Sequence, residues 1–424
     1  MVVKRRQSFA GASKKGAALI PMPHLCRHCG SPLDHEVIDL GHQPPSNAYL
    51  TAEHLLGPEI TYPLKVFVCT HCWLVQLPTH AAAEELFTAD YAYFSSTSSS
   101  WCAHAERFVL AATERLKLGP QSLVVELASN DGYLLQYVQQ RGIPCLGIEP
   151  THATAEAARA KGITTIERFF GVVLAAELEP ADLVVANNVL AHVPDINDFV
   201  AGIARLLKPE GRASIEFPHL LRLLEGNQFD TIYHEHYSYL SLRVVQRIAA
   251  AAGLSVVDVE ELSTHGGSLR VWLAHQGAAE ATSTVDALLM AEAAAGLETL
   301  AAYAGFQQRA EAAKHGLLEF LLSAKRQGRR VLGYGAAAKG NTLLNYAGIR
   351  ADLLPAVADR APSKQGKLLP GSHIPVISPE QLATEAADTL LVLPWNLIDE
   401  LRQQLPGTEL VTAIPELRHW RGEH

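Results

Sequence analysis

No run of about 18 apolar residues occurs in this 424-residue chain, so no segment reads as a membrane span. Positive charge is also in deficit, with 35 Lys and Arg against 44 Asp and Glu and a net charge of −9. Nucleic acid is therefore not an expected partner, and no basic stripe with interleaved aromatics argues otherwise. A local cationic pocket for a phosphate is compatible with that balance. The basic start, with Lys4, Arg5, Arg6, Lys14 and Lys15, leads only into a short, proline-interrupted apolar patch from Ala17 to Met22. That patch is too short for a secretory h-region. Residues 1–20 read as a disordered tail, the cytoplasm as the compartment, and a monomer as the expected state.

Cysteine is scarce, yet four of the six fall as Cys26-x-x-Cys29 and Cys69-x-x-Cys72. Tetrahedral thiolate coordination of Zn²⁺ needs ligand pairs one tight turn apart, and this spacing supplies the turn twice. Four thiolates close the coordination sphere, which makes the metal structural. Disulfides are the alternative, disfavoured in a cytoplasmic protein. His24, His28 and His71 stand close enough in sequence to replace a thiolate, and Cys102 and Cys145 read as ordinary thiols.

A chain this long exceeds one hydrophobic core, and 48% apolar content suffices for two or three domains. Residues 122–127 form a short, partly β-branched run, followed by the tight turn Ala128-Ser-Asn-Asp-Gly132, a helical stretch from Tyr133 to Gln140, and a second strand ending at Glu149. That layout binds an adenosine: the loop approaches the ligand and the terminal acid takes the ribose hydroxyls. The loop lacks Gly-x-Gly-x-x-Gly, having one glycine, Gly132, after Asn130 and Asp131. Glu126 and Asp131 instead suit a cationic sulfonium and ammonium, so an S-adenosylmethionine-dependent methyltransferase is favoured over a nicotinamide dehydrogenase. Strand 182–186 ends in Asn187 and Asn188.

The densest chemistry lies at Phe229-Asp-Thr-Ile-Tyr-His-Glu-His-Tyr-Ser-Tyr239. Tyr233, His234, Glu235 and His236 offer a near-neutral base, a carboxylate to orient it and a phenol donor. In a regular strand His234 and His236 would share a face and Glu235 would point away, so joint use of Glu235 and His236 requires an irregular loop. A metal held by His234 and His236 is a rival idea. Upstream, Tyr91 and Tyr93 precede a serine run that reads as a linker or the lining of a polar pocket.

In the last third, residues 285–325 have the spacing of paired helices, and Arg330 to Gly335 enters Ala-Ala-Ala-Lys339-Gly-Asn341 as strand, small-residue loop and helix start. A further strand, 353–358, ends at Asp359, repeating the central layout. This is no Walker loop. Either a helix N-terminus and Lys339 hold a pyrophosphate, or the turn is structural with a solvated lysine. Trp395-Asn396 follows a late strand and reads as a core tryptophan or as an aromatic beside a base or sugar.

The two cysteine knuckles, Tyr91-Ala-Tyr93-x-Ser-Ser, Glu126-x-x-Ser-Asn-Asp-Gly132, Gly147-Ile-Glu-Pro150, the Tyr233-His-Glu-His236 block, His265-Gly-Gly-Ser-x-Arg270 and Gly333-Tyr-Gly-x-x-x-Lys-Gly-Asn341 resemble the nucleotide-sugar C-methyltransferases. That family includes the enzyme that methylates C3 of a TDP-linked amino keto-deoxysugar on the way to tetronitrose. The resemblance implies an α/β chain with a zinc-binding module (21–88), a Rossmann-like methyltransferase domain (89–245) and a second Rossmann-like domain (246–424). It implies S-adenosylmethionine and Zn²⁺ as cofactors and a TDP- or GDP-linked keto-sugar as substrate. Working residues would be His236, Glu235, Tyr233 and one of Tyr91 and Tyr93. The cofactor would meet Glu126, Ala128, Asn130, Asp131, Gly132, Glu149, Asn187 and Asn188, and the sugar nucleotide His234, Gly335, Lys339, Asn341 and Asp359. Ala128 stands where the family has glycine. A zinc-ribbon interaction protein or an RNA-modifying methyltransferase is the alternative reading.

Overall fold

The computed structural model of the protein describes residues 24–86 and 94–420. The expected tail and both candidate tyrosines, Tyr91 and Tyr93, lie outside those residues.

The short apolar run becomes strand Val124–Leu127, buried at every position as a central parallel strand must be. It lies inside a seven-stranded sheet, between Cys145–Ile148 and Ala181–Asn187, both parallel to it. The chain leaves the strand to one side and returns on the other, so the sheet has a topological switch point beside it. Ligands of open α/β sheets lie outside the strand ends at that point. Ala128–Gly132 and Asn187–Asn188 follow the two strands flanking it.

The same sheet continues through Leu207–Pro218 to the antiparallel strands Ser268–His275 and Leu254–Leu262. The expected boundary after residue 245 falls inside this sheet, whose last two strands come after it. Strand Ser268–His275 is buried at all but its last residue, as an inner strand must be, and Leu254–Leu262 forms the edge.

The second Rossmann-like unit has six strands, in the order Val376–Ile377, Val357–Ala358, Val331–Tyr334, Thr389–Val392, Glu409–Thr412 and Arg418–Trp420, parallel except for the last. The strand expected over 353–358 shortens to two residues because the Leu353 and Leu354 N–H groups turn back to the Arg350 carbonyl. The paired helices are Ser283–Ala294 and Phe306–Arg326.

The N-terminal module is an antiparallel sheet of His35–Gln43, Tyr62–Val68 and Val75–Gln76, completed by Ser238–Tyr239 from the far end of the histidine-rich stretch. That stretch is an irregular loop. Its turn closes with the His236 N–H donating to the Tyr233 carbonyl at 2.9 Å. The zinc module grips one side of it, with Asn47 on Glu235 and Tyr62 against His234. The C-terminal unit grips the other: Thr342 donates to the Ile232 carbonyl at 2.9 Å and the Trp395 indole to Asp230 at 2.8 Å.

Candidate functional site

Two knuckles of matching geometry bring the four cysteines together. Gly30 N–H donates to the Cys26 carbonyl and Trp73 N–H to that of Cys69. The Cys26–Cys72 and Cys29–Cys69 sulfurs are each 3.5 Å apart, and all four lie within 4.8 Å of one another. Zn–S bonds of about 2.3 Å in a tetrahedron call for sulfurs about 3.8 Å apart, so the set fits Zn²⁺. No disulfide links any of the four. His234 and His236 form no comparable cluster among the described residues.

At the switch point the backbone of Ala128, Asn130 and Gly132 takes positive φ, at 54°, 50° and 74°. A side chain on Gly132 would stand 2.3 Å from the Ile163 methyl, so glycine is required by space as well as by φ. Glu149 is buried, and its carboxylate accepts from the Asn130 and Thr151 N–H groups, each at 2.9 Å, and from the Thr151 hydroxyl. Lone-pair capacity remains for a ribose hydroxyl. Asp131 is occupied by Ser96 and Lys161, which ties the serine run onto the cofactor loop. Burial pushes the Glu126 carboxyl well above the usual range and favours the acid, so it offers a donor where the sequence suggested an anion.

Several buried polar atoms at these strand ends have no hydrogen-bond partner among the described residues: Ser129 Oγ, the whole Asn187 amide and Asn188 Oδ1. Orphaned polar atoms are rare in folded interiors, and a polar ligand is what satisfies them. The donor and acceptor set fits S-adenosylmethionine.

His236 is buried, and its Nδ1 donates to the Thr231 carbonyl at 2.7 Å. The proton on Nδ1 leaves the Nε2 lone pair free. Burial, and then His192, hold its pKa well below the ordinary histidine value, so the ring is neutral. Tyr233 stacks on it at 3.9 Å and His192 meets it edge-on at 4.6 Å. Glu235 does not orient His236; Asn47 Nδ2 holds its two oxygens at 2.7 and 2.9 Å. His234 packs edge-on to Tyr62 at 5.8 Å, with burial pushing its pKa to about 4.

From the C-terminal unit come Lys339 and Asn341. Lys339 Nζ donates to Asn396 Oδ1 at 2.8 Å and lies 4.9 Å over the Trp395 ring. The Asn341 amide is buried without a hydrogen-bond partner among the described residues. Burial pushes Asp230 up to about 6 despite the nearby Lys339. Gly335, at φ 85°, is pinned by Pro394, whose ring would stand 2.4 Å from an added side chain. Asp359 is engaged inside its own unit by the Ala361 N–H and Lys364. The structure thus sets Tyr233 against His236 with Lys339 close enough to act on that histidine, while His234, Glu235 and Asp359 are engaged by Tyr62, Asn47 and the Ala361 N–H.

Sequence reasoning assigned no role to His192, Asp230, His265 or Glu216. His192 and Glu216 sit just beyond or at the ends of core strands, which was the available signal. Glu216 is buried and accepts from His104, Arg270 and Thr264 at 2.8–2.9 Å. Although burial opposes it, these partners hold its carboxyl below the usual range.

Residues 26–87 match a zinc binding domain, 101–259 a methyltransferase domain and 263–415 a C-methyltransferase C-terminal domain. C-methyltransferase NovU of Streptomyces niveus is 36% identical over 403 residues, spanning 93% of this chain and 96% of its own length. Among solved structures, the PH0226 protein of Pyrococcus horikoshii OT3 aligns over 44% of this chain and 95% of its own, with TM-score 0.37 and 15% identity. Magnesium protoporphyrin IX methyltransferase of Synechocystis PCC 6803 aligns over 41% and 83%, with TM-score 0.34 and 18% identity. With all three domain models in order and a relative matched along nearly its whole length, the chain belongs to the C-methyltransferase family that joins a zinc-binding module to an S-adenosylmethionine-dependent domain and a C-methyltransferase C-terminal domain.

Proposed function

We propose that the protein methylates a carbon next to the ketone of a nucleotide-linked deoxysugar, with His236 as the base. The observation that carries this reading is the Nδ1 bond of His236 to the Thr231 carbonyl, which fixes a neutral ring with Nε2 as acceptor. Such a carbon is not nucleophilic until its proton leaves. His236 Nε2 takes that proton, the C–H electron pair forms a carbon–carbon double bond, and the carbonyl pair moves onto oxygen. Tyr233, stacked on the base, is the phenol assigned to that oxygen. S-adenosylmethionine, when bound against Glu149, Asn187 and Asn188, supplies the methyl group.

Lys339 and the buried Asn341 amide, beside the start of a helix, are suited to the pyrophosphate of the sugar nucleotide. Glu235, held by Asn47, keeps the turn in shape rather than taking the proton. The test supplies a TDP- or GDP-linked keto-sugar in D₂O with S-adenosylhomocysteine in place of the donor. Wild type should exchange the proton on the carbon to be methylated, and His236→Ala should lose about 10²–10⁴-fold in rate. Normal turnover by His236→Ala with a dead Glu235→Gln would give the base role to the carboxylate.

A further inference from the structure

His265 lies in a loop between the central sheet and the C-terminal unit, in contact with Asn188 on one side and next to Gly266, which packs on Trp395, on the other. Its backbone is left-handed, at φ 54° and ψ 20°, a conformation that costs a residue with a side chain on the order of 1–2 kcal/mol. The two following glycines hold it there. Gly266 also has positive φ, and its added side chain would lie 2.4 Å from the Trp395 ring; one on Gly267 would lie 2.7 Å from Arg222. The Gly266 carbonyl accepts from Gln228, immediately before the histidine-rich stretch, at 2.8 Å. Strain retained under this much constraint points to a working side chain.

The ring is anchored on the cofactor side. Asn188 Nδ2 donates to His265 Nε2 at 3.2 Å, and Trp101 packs against the ring at 5.3 Å. With Nε2 accepting, the proton of the neutral ring is on Nδ1, which meets no hydrogen-bond partner among the described residues. Burial, and then the charge of Lys339, push its pKa to about 4, so it is neutral at any working pH. The loop lies between Asn188, at the end of a cofactor-facing strand, and Trp395, which covers Lys339. His265 also lies near His192 and His236.

We propose that His265 is a second donor to the substrate's carbonyl oxygen, its Nδ1–H holding the oxygen as charge gathers there during deprotonation by His236. A neutral imidazole suits this role, because its N–H polarises a carbonyl without giving up the proton. The assignment rests on the keto-sugar reading above and adds a residue to it.

The experiment compares wild type with His265→Gly and His265→Asn. Glycine removes the ring and relieves the backbone, while asparagine tolerates the left-handed conformation and keeps an N–H donor. For His265→Gly we expect a melting temperature within about 2 °C of wild type, S-adenosylhomocysteine affinity unchanged within about twofold, and kcat for methylation and proton exchange reduced about 10²–10³-fold. His265→Asn should recover part of that rate. Wild-type kcat in His265→Gly would overturn the proposal. So would a rate loss matched by a lower melting temperature or by weaker cofactor binding, or an asparagine variant no better than glycine. Wild type that exchanges no proton on keto-sugars would instead defeat the substrate reading itself.

Discussion

The rings of Tyr233 and His236 stand 3.9 Å apart, tilted by 33°, across a turn closed by their own backbone hydrogen bond. Phenol and imidazole are thereby fixed to one another before any substrate arrives, and the imidazole is neutral. A base is in its working form above its pKa, and that of His236 is depressed by burial and by His192. Hence kcat/KM should stay level as the pH falls from 8 through 6.5 and decline only further down. Asp230, poised at about 6, is a neighbour that titrates in that range, so the profile is repeated with Asp230→Asn. A rate already halved at pH 6.5 in both proteins would contradict a buried base.

One residue links the metal site to the Tyr233–His236 turn. Gln76 donates to Cys26 Sγ at 3.1 Å and pairs as a strand residue with Ser238, two positions after His236. Removing zinc should therefore unseat the turn before it disturbs the cofactor loop. Purified protein should carry one zinc per chain, and Cys69→Ser should lose it. In that variant methylation should fall more than tenfold while S-adenosylhomocysteine still binds. Folded, active protein free of zinc would refute this coupling; structural zinc contributes on the order of 10–16 kcal/mol in small modules.

Glu149 stands at the expected strand end and accepts from both the loop and Thr151. Glu149→Ala should weaken S-adenosylhomocysteine binding by about 1–3 kcal/mol, the scale of hydrogen bonds to a charged group. Unchanged affinity by calorimetry would move the ribose elsewhere. Ala128 sits at φ 54°. Ala128→Gly should raise the melting temperature by about 2 °C, since left-handed backbone costs alanine about 1 kcal/mol or more.

Legibility followed the range of the interactions. The cysteine knuckles and the strand, loop and helix around Ala128–Gly132 are local patterns, and the residues state them outright. The irregular loop at Tyr233–His236 was foreseen only as a condition for using Glu235 and His236 together. The loop exists, but the turn sends Glu235 to Asn47, almost two hundred residues away in sequence, and no local rule carries that. His192 and His265 escaped for the same reason, since their rings reach the site only after the sheet and loop have formed. The late strands 254–262 and 268–275 join the central sheet by antiparallel pairing, which leaves no mark in spacing.

His234 yields the last prediction, because its neighbours make it a stability group. The ring is buried against Tyr62, and burial lowers its pKa to about 4 from the ordinary 6.5. Between these values the unfolded chain binds the proton more readily than the folded one. Stability is therefore fully present above about pH 6.5 and is lost as the pH falls towards 4, by about 1.4 kcal/mol per pH unit. A variant with no titrating group, His234→Gln, lacks this loss. Its stability relative to wild type should accordingly improve by about 3 kcal/mol between pH 6.5 and 4, measured by denaturant unfolding of the two proteins side by side. A pH-independent difference would mean that His234 is protonated in the folded chain and takes a partner that the packing against Tyr62 does not supply.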